Sequence, residues 1–351
     1  MDKSKKNIVR ISLICYFCSS KFLQFTNIYP KNKMTRFASL FLWMTLVLLP
    51  QGLLANDSLI RKAGSLDQWR VIRQRESKII GGKYKCVHKL QSGDTLYDYR
   101  DFRQGENDIL APCNITADIL GVVKVSNSVT PEPRNGGYCA RLEVVLEEVK
   151  VLGLVSIEAL AQGTIISGTF HEPVTDTKNP YRKISSGVPF TYRPKALRFD
   201  YKAEVGNRMV RATGLSPKKV LDDEDYPFIQ VILQKRVEAE DGSIKAYRVG
   251  SGLKIFRNSV SEWKNGETVE IKYGDITGEP DFHPLSGFKQ GSTTHYCINS
   301  KGENVMVQEV GWADKSETPT HLVLWISSSM GEAFYGALGN KVWVDNVEFV
   351  Y

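Results

Sequence analysis

Three charged residues alternate along one short stretch of the sequence and could bind a polar ligand. Arg198, Asp200 and Lys202 are separated by apolar residues over positions 196–202. Because the side chains of a β-strand point alternately to its two faces, these charged groups would form a row on one face. Such a row could hydrogen-bond the hydroxyl groups of a sugar. Ordinary exposure to solvent would explain the same pattern.

Aromatic residues would provide the flat surface on which the apolar face of a pyranose stacks. Tyr192, Trp263 and Trp312 are the candidates in predicted loops, and each could instead fold back over a sheet edge. Gln234 and Arg236 lie on another predicted strand. We expect that strand in the same sheet as the charged row, so that its two polar side chains would extend the row.

No catalytic residues are assigned from the sequence. Glycoside hydrolysis needs two carboxyl groups facing each other across the scissile bond, and such pairs usually come from different strands. The sequence contains no G-x-S-x-G elbow, no H-E-x-x-H motif and no phosphate-binding glycine loop. Whether the protein is an enzyme therefore stays open.

The elements that would position these residues are predicted to be β-strands. Short runs rich in Val, Ile, Phe, Tyr and Thr alternate with clusters of Gly, Asn, Asp and Pro, which is typical of an all-β fold. Asp241-Gly242 predicts a hairpin between residues 228–237 and 244–256, since this pair accepts positive φ at low cost.

Further strands are predicted towards the C-terminus. Asn265-Gly266 indicates a second hairpin, joining residues 260–263 to 268–273. Residues 321–327 and 341–351 alternate as strands, and the last one is apolar on both faces, so it should pair inside a sheet.

A third stretch, residues 140–160, has a partial helical stripe. Its valine content and Gly153 favour two strands instead.

The N-terminal region predicts export. Arg36, the apolar residues 37–49 and the small residues before Asn56 form a signal peptide over 34–55, because an apolar stretch this short does not span a bilayer. We interpret residues 1–33 as the product of an upstream start codon that was assigned in error, with Met34 as the true start. We expect a chain from about Asn56 to Tyr351 in the periplasm, on the cell surface or secreted, with no integral membrane span after cleavage.

The charge balance argues against nucleic acid as a partner. The chain has 46 Lys or Arg and 39 Asp or Glu. Residues 1–55 contain eight of the basic and one of the acidic residues, so 38 basic and 38 acidic residues remain after residue 55. A protein that binds phosphates should show a basic surplus.

Four cysteines remain after residue 55: Cys86, Cys113, Cys139 and Cys297. They allow three different disulfide pairings.

One elaborated domain is predicted, because no Pro- or Ser-rich linker and no fixed repeat occurs. An N-terminal irregular or β segment over residues 56–113 would lead into the main domain at 114–351.

Several blocks of sequence, taken in order, resemble the putative carbohydrate metabolism domain family. They are residues 137–143, 163–168, 187–202, 327–329, Gly336 and 342–347. The resemblance implies a jelly-roll β-sandwich of the galactose-binding and carbohydrate-binding-module type, exported by bacteria that live on complex glycans. The closing Val-Asp-Asn-Val strand also resembles the last strand of many carbohydrate-binding modules. There an Asp often helps to hold a structural calcium, which makes Asp345 a candidate ligand, with Glu143 as a second carboxylate.

The function that this resemblance implies is that of an exported carbohydrate-binding or glycan-utilisation accessory protein, non-catalytic, whose partner is a polysaccharide or oligosaccharide. One alternative is a glycoside hydrolase or lyase with an unassigned pair of carboxylates. Another is a structural protein of the cell envelope.

Overall fold

A computed structural model describes residues 60–99, 104, 108–119, 121–151, 155–175, 179–206, 208–214, 217–289 and 294–351. The predicted upstream segment and signal peptide lie outside the described residues. Within the described ranges, no helix has the length and apolar character needed to cross a membrane.

Almost all regular structure in the described residues is β. In chain order the first strands are β1 (Arg70–Arg75), β2 (Tyr84–Lys89), β3 (Leu96–Tyr97), β4 (Leu110–Pro112), β5 (Ile115–Ile119), β6 (Val122–Ser126), β7 (Val129–Arg134), β8 (Gly137–Glu143), β9 (Val145–Val151), β10 (Val155–Ala161), β11 (Thr164–Phe170), β12 (Ile184–Ser186) and β13 (Val188–Pro189). They are followed by β14 (Ala196–Glu204), β15 (Arg208–Arg211), β16 (Lys219–Glu224), β17 (Phe228–Glu238), β18 (Ile244–Ile255), β19 (Val260–Glu270), β20 (Lys272–Tyr273), β21 (Tyr296–Ile298), β22 (Asn304–Trp312), β23 (His321–Ser327), β24 (Tyr335–Ala337) and β25 (Lys341–Val350). Residues 60–64 are α-helical, and short 3-10 helices occur at Lys78–Ile80, Pro180–Lys183 and Pro284–Ser286.

Eight strands form a sandwich of two sheets. One sheet contains the order β19-β14-β25-β8, extended by β7, and the other contains β11-β23-β17-β18 within a larger sheet of ten strands. Six of the seven connections along these eight strands pass from one sheet to the other, and only β17 and β18 are consecutive neighbours. This order is that of a jelly roll. The predicted all-β sandwich is therefore confirmed.

The hydrophobic core lies between the two sheets. Leu197 and Phe199 of β14 face Ile229, Val231 and Leu233 of β17, and all five side chains are fully buried. The two-residue period of each strand places its remaining side chains on the outer face of the sheet. The outer faces are therefore where polar residues of these strands can meet.

In the part of the chain that the structure describes, four smaller sheets lie outside the sandwich: β2-β1-β3, β5-β6, β9-β10 and β16-β15-β24. β1, β2 and β3 form a three-stranded sheet over a small core of their own, and β5 pairs with β6. β4 joins the large sheet beside β11. Segment 56–113 thus contributes both a separate sheet and one strand of the sandwich.

Most predicted strands are confirmed. The hairpin of β17 and β18 across Asp241-Gly242 has the predicted form. Residues 140–160 contain the end of β8, all of β9 and most of β10, rather than a helix. The strands at 196–202, 321–327 and 341–351 are also found as β14, β23 and β25.

The second predicted hairpin is wrong. Strand β19 runs through Asn265-Gly266 without turning, and between Phe199 and Tyr201 its register against β14 gains one residue. Gly266 has φ 71°. The pair therefore forms a β-bulge, which uses the same positive φ as a tight turn but leaves the strand direction unchanged.

A second bulge changes the faces of β25. Asn346 has φ 50°, and two residues of β25, Asn346 and Val347, oppose the single residue Phe199 of β14 between the Asp200–Asp345 and Arg198–Glu348 pairs. Val347 is consequently buried in the core together with Val344. Unbroken alternation over residues 341–351 would place Val347 on the same face as Asp345, but the bulge shifts the alternation by one position, so regular alternation is wrong for this part of the strand.

The four predicted cysteines are all free in this structure. Cys86 and Cys113 are half-buried, while Cys139 and Cys297 are buried. None of the three possible disulfide pairings is formed between these four residues.

The outer face of the ten-stranded sheet is covered by the chain itself. Gln230 Nε2 donates to the carbonyl of Leu285 at 2.6 Å, and the guanidinium of Arg248 donates to the carbonyl of Ser286 at 3.0 Å. Beneath this cover Arg248 and Glu309 form an ion pair at 2.7 Å in which neither side chain is exposed. The covered face is therefore a second, polar core.

Replacement of Glu309 by Gln should lower the free energy of unfolding by about 3–5 kcal/mol, because Arg248 would remain charged and buried without its carboxylate. Urea unfolding at neutral pH measures the change.

The matched control is Glu317→Gln, which breaks the ion pair of Glu317 with Lys235. The ion pair of Glu317 with Lys235 measures 2.8 Å, close to the length of the buried pair, but its two side chains are about 40% exposed. Its loss should cost less than about 1 kcal/mol. Equal effects of the two substitutions would contradict the assignment of a buried polar core.

Candidate functional site

The outer face of the five-stranded sheet carries a row of aromatic and charged side chains. Lys202 of β14 is the direct partner of Trp343 on β25, which is in turn the partner of Arg141 on β8. Trp263 of β19 lies beside Lys202, whose Nζ is 5.9 Å from the ring centroid of Trp263. We call Trp263, Lys202, Trp343 and Arg141 the outer strip.

Charged neighbours orient the members of the outer strip. The Lys202 Nζ lies 4.2 Å from the centroid of Trp343, whose indole Nε1 donates to Glu132 Oε2 at 2.7 Å. Arg141 forms ion pairs with Glu132 at 3.2 Å and with Glu143 at 3.1 Å. Each long side chain thus has a defined position before any ligand binds.

One end of the outer strip is closed by Arg134, the last residue of β7. Its guanidinium donates to Asp345 Oδ2, to Asp200 Oδ2 at 2.8 Å and to Asn265 Oδ1 at 2.8 Å. The guanidinium carbon also lies 3.9 Å from the centroid of the Trp263 ring. We call Arg134, Asp200 and Asp345 the arginine cluster.

The position of Arg134 requires the face to curve. β7 and β19 are opposite edges of the five-stranded sheet, and in a flat sheet they would lie roughly 19 Å apart, four spacings of about 4.8 Å. Arg134 nevertheless contacts both Trp263 and Asn265. Pairing between β25 and β8 ends at Val344 and Ala140. The end of the β7–β8 hairpin is therefore free to bend over the outer face, which makes this end concave.

Both bulges aim donors at Asp200. The backbone N–H of Gly266 donates to Asp200 Oδ1 at 2.8 Å, and the side-chain amide of Asn346 donates to Oδ2 at 2.9 Å. The positive φ of each bulge residue turns a group towards the outer face that regular pleating would point elsewhere. Asp200 is thus buried by its partners, whereas the sequence predicted a solvent-facing row.

The two carboxyl groups of the arginine cluster differ in their pKa. Burial by itself would raise the pKa of Asp200, but the donors from Asn346, Gly266 and Arg134 outweigh it and hold the pKa below its usual range. Burial also raises the pKa of Asp345, and its bonds from Arg134 and the Asn346 N–H offset this only in part, so the pKa stays raised. Asp200, whose carboxylate accepts from more donors, therefore bears the more stable negative charge.

The structure brings together some of the predicted site residues and separates others. Asp200, Lys202 and Trp263 meet on the outer face, and Arg198 lies farther along it, bonded to Glu348 at 2.8 Å. Tyr192 instead packs against the hydrophobic core, 5.5 Å from the ring of Phe190.

Gln234 and Arg236 do not extend the row, and this prediction is wrong; the stacking candidate Trp312 does not lie on the outer face of the five-stranded sheet either. They lie in or beside the covered face of the ten-stranded sheet, where Gln234 donates to Glu309 at 2.8 Å and Trp312 packs 5.1 Å from Phe288. The physical reason is the jelly-roll order: β14 and β17 are consecutive among the eight strands of the sandwich but belong to opposite sheets.

Asp345 and Glu143 are not brought together as ligands of one calcium ion. Glu143 is paired with Lys341, four residues before Asp345 on β25, or roughly 13 Å along the strand. Calcium–oxygen distances are only about 2.3–2.6 Å. The described residues contain no group of three or more His, Cys, Asp or Glu that could hold a metal. Calcium at Asp345 with other ligands stays a prediction, which loss of thermal stability on chelation would support.

Sequence reasoning missed Arg134, Glu132, Arg141 and Trp343. One signal was present, because Arg134 directly precedes Asn135-Gly136, a turn signal of the type used elsewhere in the chain. That signal predicts the β7–β8 hairpin, but not that its end bends over the sheet.

Comparison with known proteins finds only distant similarity. No protein-family profile matches the chain, and no curated protein matches it. The chain is similar to a putative glycoside hydrolase from Bacteroides thetaiotaomicron, with 17% identity over 80% of this chain and 70% of that one and a TM-score of 0.43. It is also similar to a putative glycoside hydrolase from Bacteroides vulgatus, with 15% identity over 77% and 87% and a TM-score of 0.39. Similarity at this level carries no argument about activity.

Replacement of Asp200 by Asn should lower the free energy of unfolding by about 1.5–3 kcal/mol at neutral pH, because hydrogen bonds to an ionised carboxylate are lost. The pKa of Asp200 is lower in the folded than in the unfolded protein. Its stabilisation is therefore present above the unfolded value of about 3.9 and is lost as the pH falls through the folded value. The difference in the free energy of unfolding between the variant and the unchanged protein should shrink as the pH falls below about 4, as measured by urea unfolding.

Asp222→Asn serves as the control, since the side chain of Asp222 is fully exposed on β16. This variant should unfold like the unchanged protein at every pH. A destabilisation by Asp200→Asn that does not depend on pH would contradict the role of the ionised carboxylate.

Proposed function

We propose that this chain binds a polysaccharide or oligosaccharide on the outer strip and does not cleave it. The observation that carries the proposal is the row formed by Trp263, Lys202, Trp343 and Arg141 on four adjacent strands. Trp343 is buried beneath its neighbours, and the other three side chains are partly exposed. Four strands span three spacings, or roughly 14 Å. This length suits a chain of sugars crossing the strands better than a single sugar.

The outer strip offers both kinds of contact that a sugar requires. The half-buried ring of Trp263 is a flat apolar surface, and Arg134 stacks against it at the concave end. Arg141, Glu132 and Glu143 provide donors and acceptors already fixed by their ion pairs. Sugar hydroxyls bind best to polar groups held in such a defined geometry.

The competing function is glycoside hydrolysis by Asp200 and Asp345. Their pKa shifts have opposite directions, as expected for a catalytic base and acid. However, both carboxylates bind the same guanidinium. A carboxylate engaged in this way is not free to transfer a proton to a leaving group, so binding without cleavage is the proposal that this geometry favours.

The test is to measure the binding of the purified protein to a glycan array and then to determine Kd by calorimetry for the best glycan. Trp263→Ala should weaken binding about tenfold or more, because the stacking surface is lost. Lys202→Ala should weaken it as well while leaving the stacking of Arg134 intact. Thermal unfolding of each variant shows that it is folded.

Tyr247→Ala is the matched control, because Tyr247 is an exposed aromatic residue on β18 of the other sheet. This variant should bind as the unchanged protein does. Failure to bind any glycan would overturn the proposal and favour a structural role in the cell envelope. Release of reducing sugar that is abolished by Asp345→Asn would instead favour the hydrolase.

Export is part of the same proposal and rests on the predicted signal peptide. Fractionation of cells that express the full chain should place the protein outside the cytoplasm. A protein retained in the cytoplasm would have no access to an external glycan, which would contradict this part of the proposal.

A further inference from the structure

A second surface with the composition of a ligand site lies on the three-stranded sheet of β1, β2 and β3. The inner face of this sheet packs Ile72, Val87 and Leu96 into a small core. The outer face places Arg75 beside its cross-strand partner Tyr84, and Arg73 beside its partner Tyr97. Two arginines in the centre are thus flanked by two tyrosines.

Both tyrosine rings are exposed to an unusual extent. Tyr84 is 50% and Tyr97 is 63% exposed, although large aromatic side chains usually bury most of their area. Tyr84 is nevertheless fixed in position, because its hydroxyl donates to Asp98 Oδ2 at 2.8 Å and Arg75 lies 5.3 Å from its ring centroid. A fixed, exposed ring is a ready stacking surface.

The same surface carries two arginines, Arg73 and Arg75, beside the single carboxylate of Asp98. Residues 70–89 contain seven Lys or Arg and a single acidic residue, Glu76, which is buried. Among the described residues no carboxylate lies within ion-pair distance of Arg73, Arg75, Lys78 or Lys83. Residues 56–351 as a whole have a formal net charge of zero, so the part of them outside residues 70–89 must be net acidic. Of these seven basic residues, only Arg73 and Arg75 lie on β1 or β2 with their side chains on the outer face, whereas Arg70, Lys85 and Lys89 alternate to the inner face.

We propose that this Tyr-Arg face, formed by Arg73, Arg75, Tyr84 and Tyr97, is a second binding surface, for a carboxylated polysaccharide. The tyrosine rings stack on the apolar faces of the sugars. The guanidinium groups bind the carboxylates of uronic acid residues, for which their planar pair of donors is well matched. This proposal does not depend on the outer strip, which lies on a different sheet.

A polysaccharide fits the surface better than a nucleic acid does. Nucleic-acid binding relies on many phosphate contacts along an extended basic surface. Here only Arg73 and Arg75 lie on the face, which is too few for that mode of binding. Alternating rings and guanidiniums instead match a polymer in which each apolar ring carries one carboxylate.

The experiment compares polygalacturonate with its fully methyl-esterified form, which has the same sugars without the charge. Affinity electrophoresis of the full chain should show retardation by polygalacturonate only, and the retardation should weaken as NaCl is added. Arg73→Gln and Tyr97→Ala should each reduce the affinity about tenfold. Neither side chain is buried, so both variants should remain folded.

Arg208→Gln and Tyr247→Ala are the matched controls, because each removes an exposed residue of the same type elsewhere, and both should bind polygalacturonate normally. Trp263→Ala should also bind it normally, which separates this surface from the outer strip. Equal binding of the esterified polymer, normal binding by Arg73→Gln, or tighter binding of single-stranded poly-dT would each overturn the proposal.

Discussion

Asp200 and Asp345 are direct partners on adjacent strands, so that two carboxylates face each other on the outside of the same sheet. Like charges directly opposite each other destabilise a pair of strands. The guanidinium of Arg134 bonds to both carboxylates. Because Arg134 comes from the far edge strand, the same interaction also bends the β7–β8 hairpin over the face. Charge neutralisation and curvature therefore have one cause.

The two bulges are coupled to this arrangement. Gly266 and Asn346 lie on the strands to either side of Asp200, and each directs a donor at its carboxylate. Without the bulges Asp200 would depend on Arg134 alone. With them it has enough donors to remain ionised although it is largely buried. Trp263, two positions before Asn265 on β19, is held by the same guanidinium, so the aromatic surface of the outer strip depends on the cluster.

The ion pairs on the two outer faces of the sandwich differ in how far they are buried. On the ten-stranded sheet the pair of Arg248 and Glu309 is sealed beneath residues 284–289, and no part of either side chain contacts solvent. On the five-stranded sheet the ion pairs of Arg141 and Arg198 stay partly exposed. Of these ion pairs, a ligand can reach only those on the five-stranded sheet. For this reason the proposed glycan site lies there and not over the deeper polar core.

The local alternation of residues was enough to predict β14, β17, β18, β23 and β25, because the two-residue period of a strand is written in consecutive positions. It also determined that Arg198, Asp200 and Lys202 share one face. It could not determine which strands share a sheet, since pairing depends on contacts between distant parts of the chain, and Gln234 was assigned to the wrong sheet. Asn265-Gly266 has the same preference for positive φ in a turn and in a bulge, and only the long partner strand β14 selects the bulge. The contact of Arg134 with Asp200 and Asp345, separated from it by 66 and 211 residues, exists only once the whole sandwich has formed.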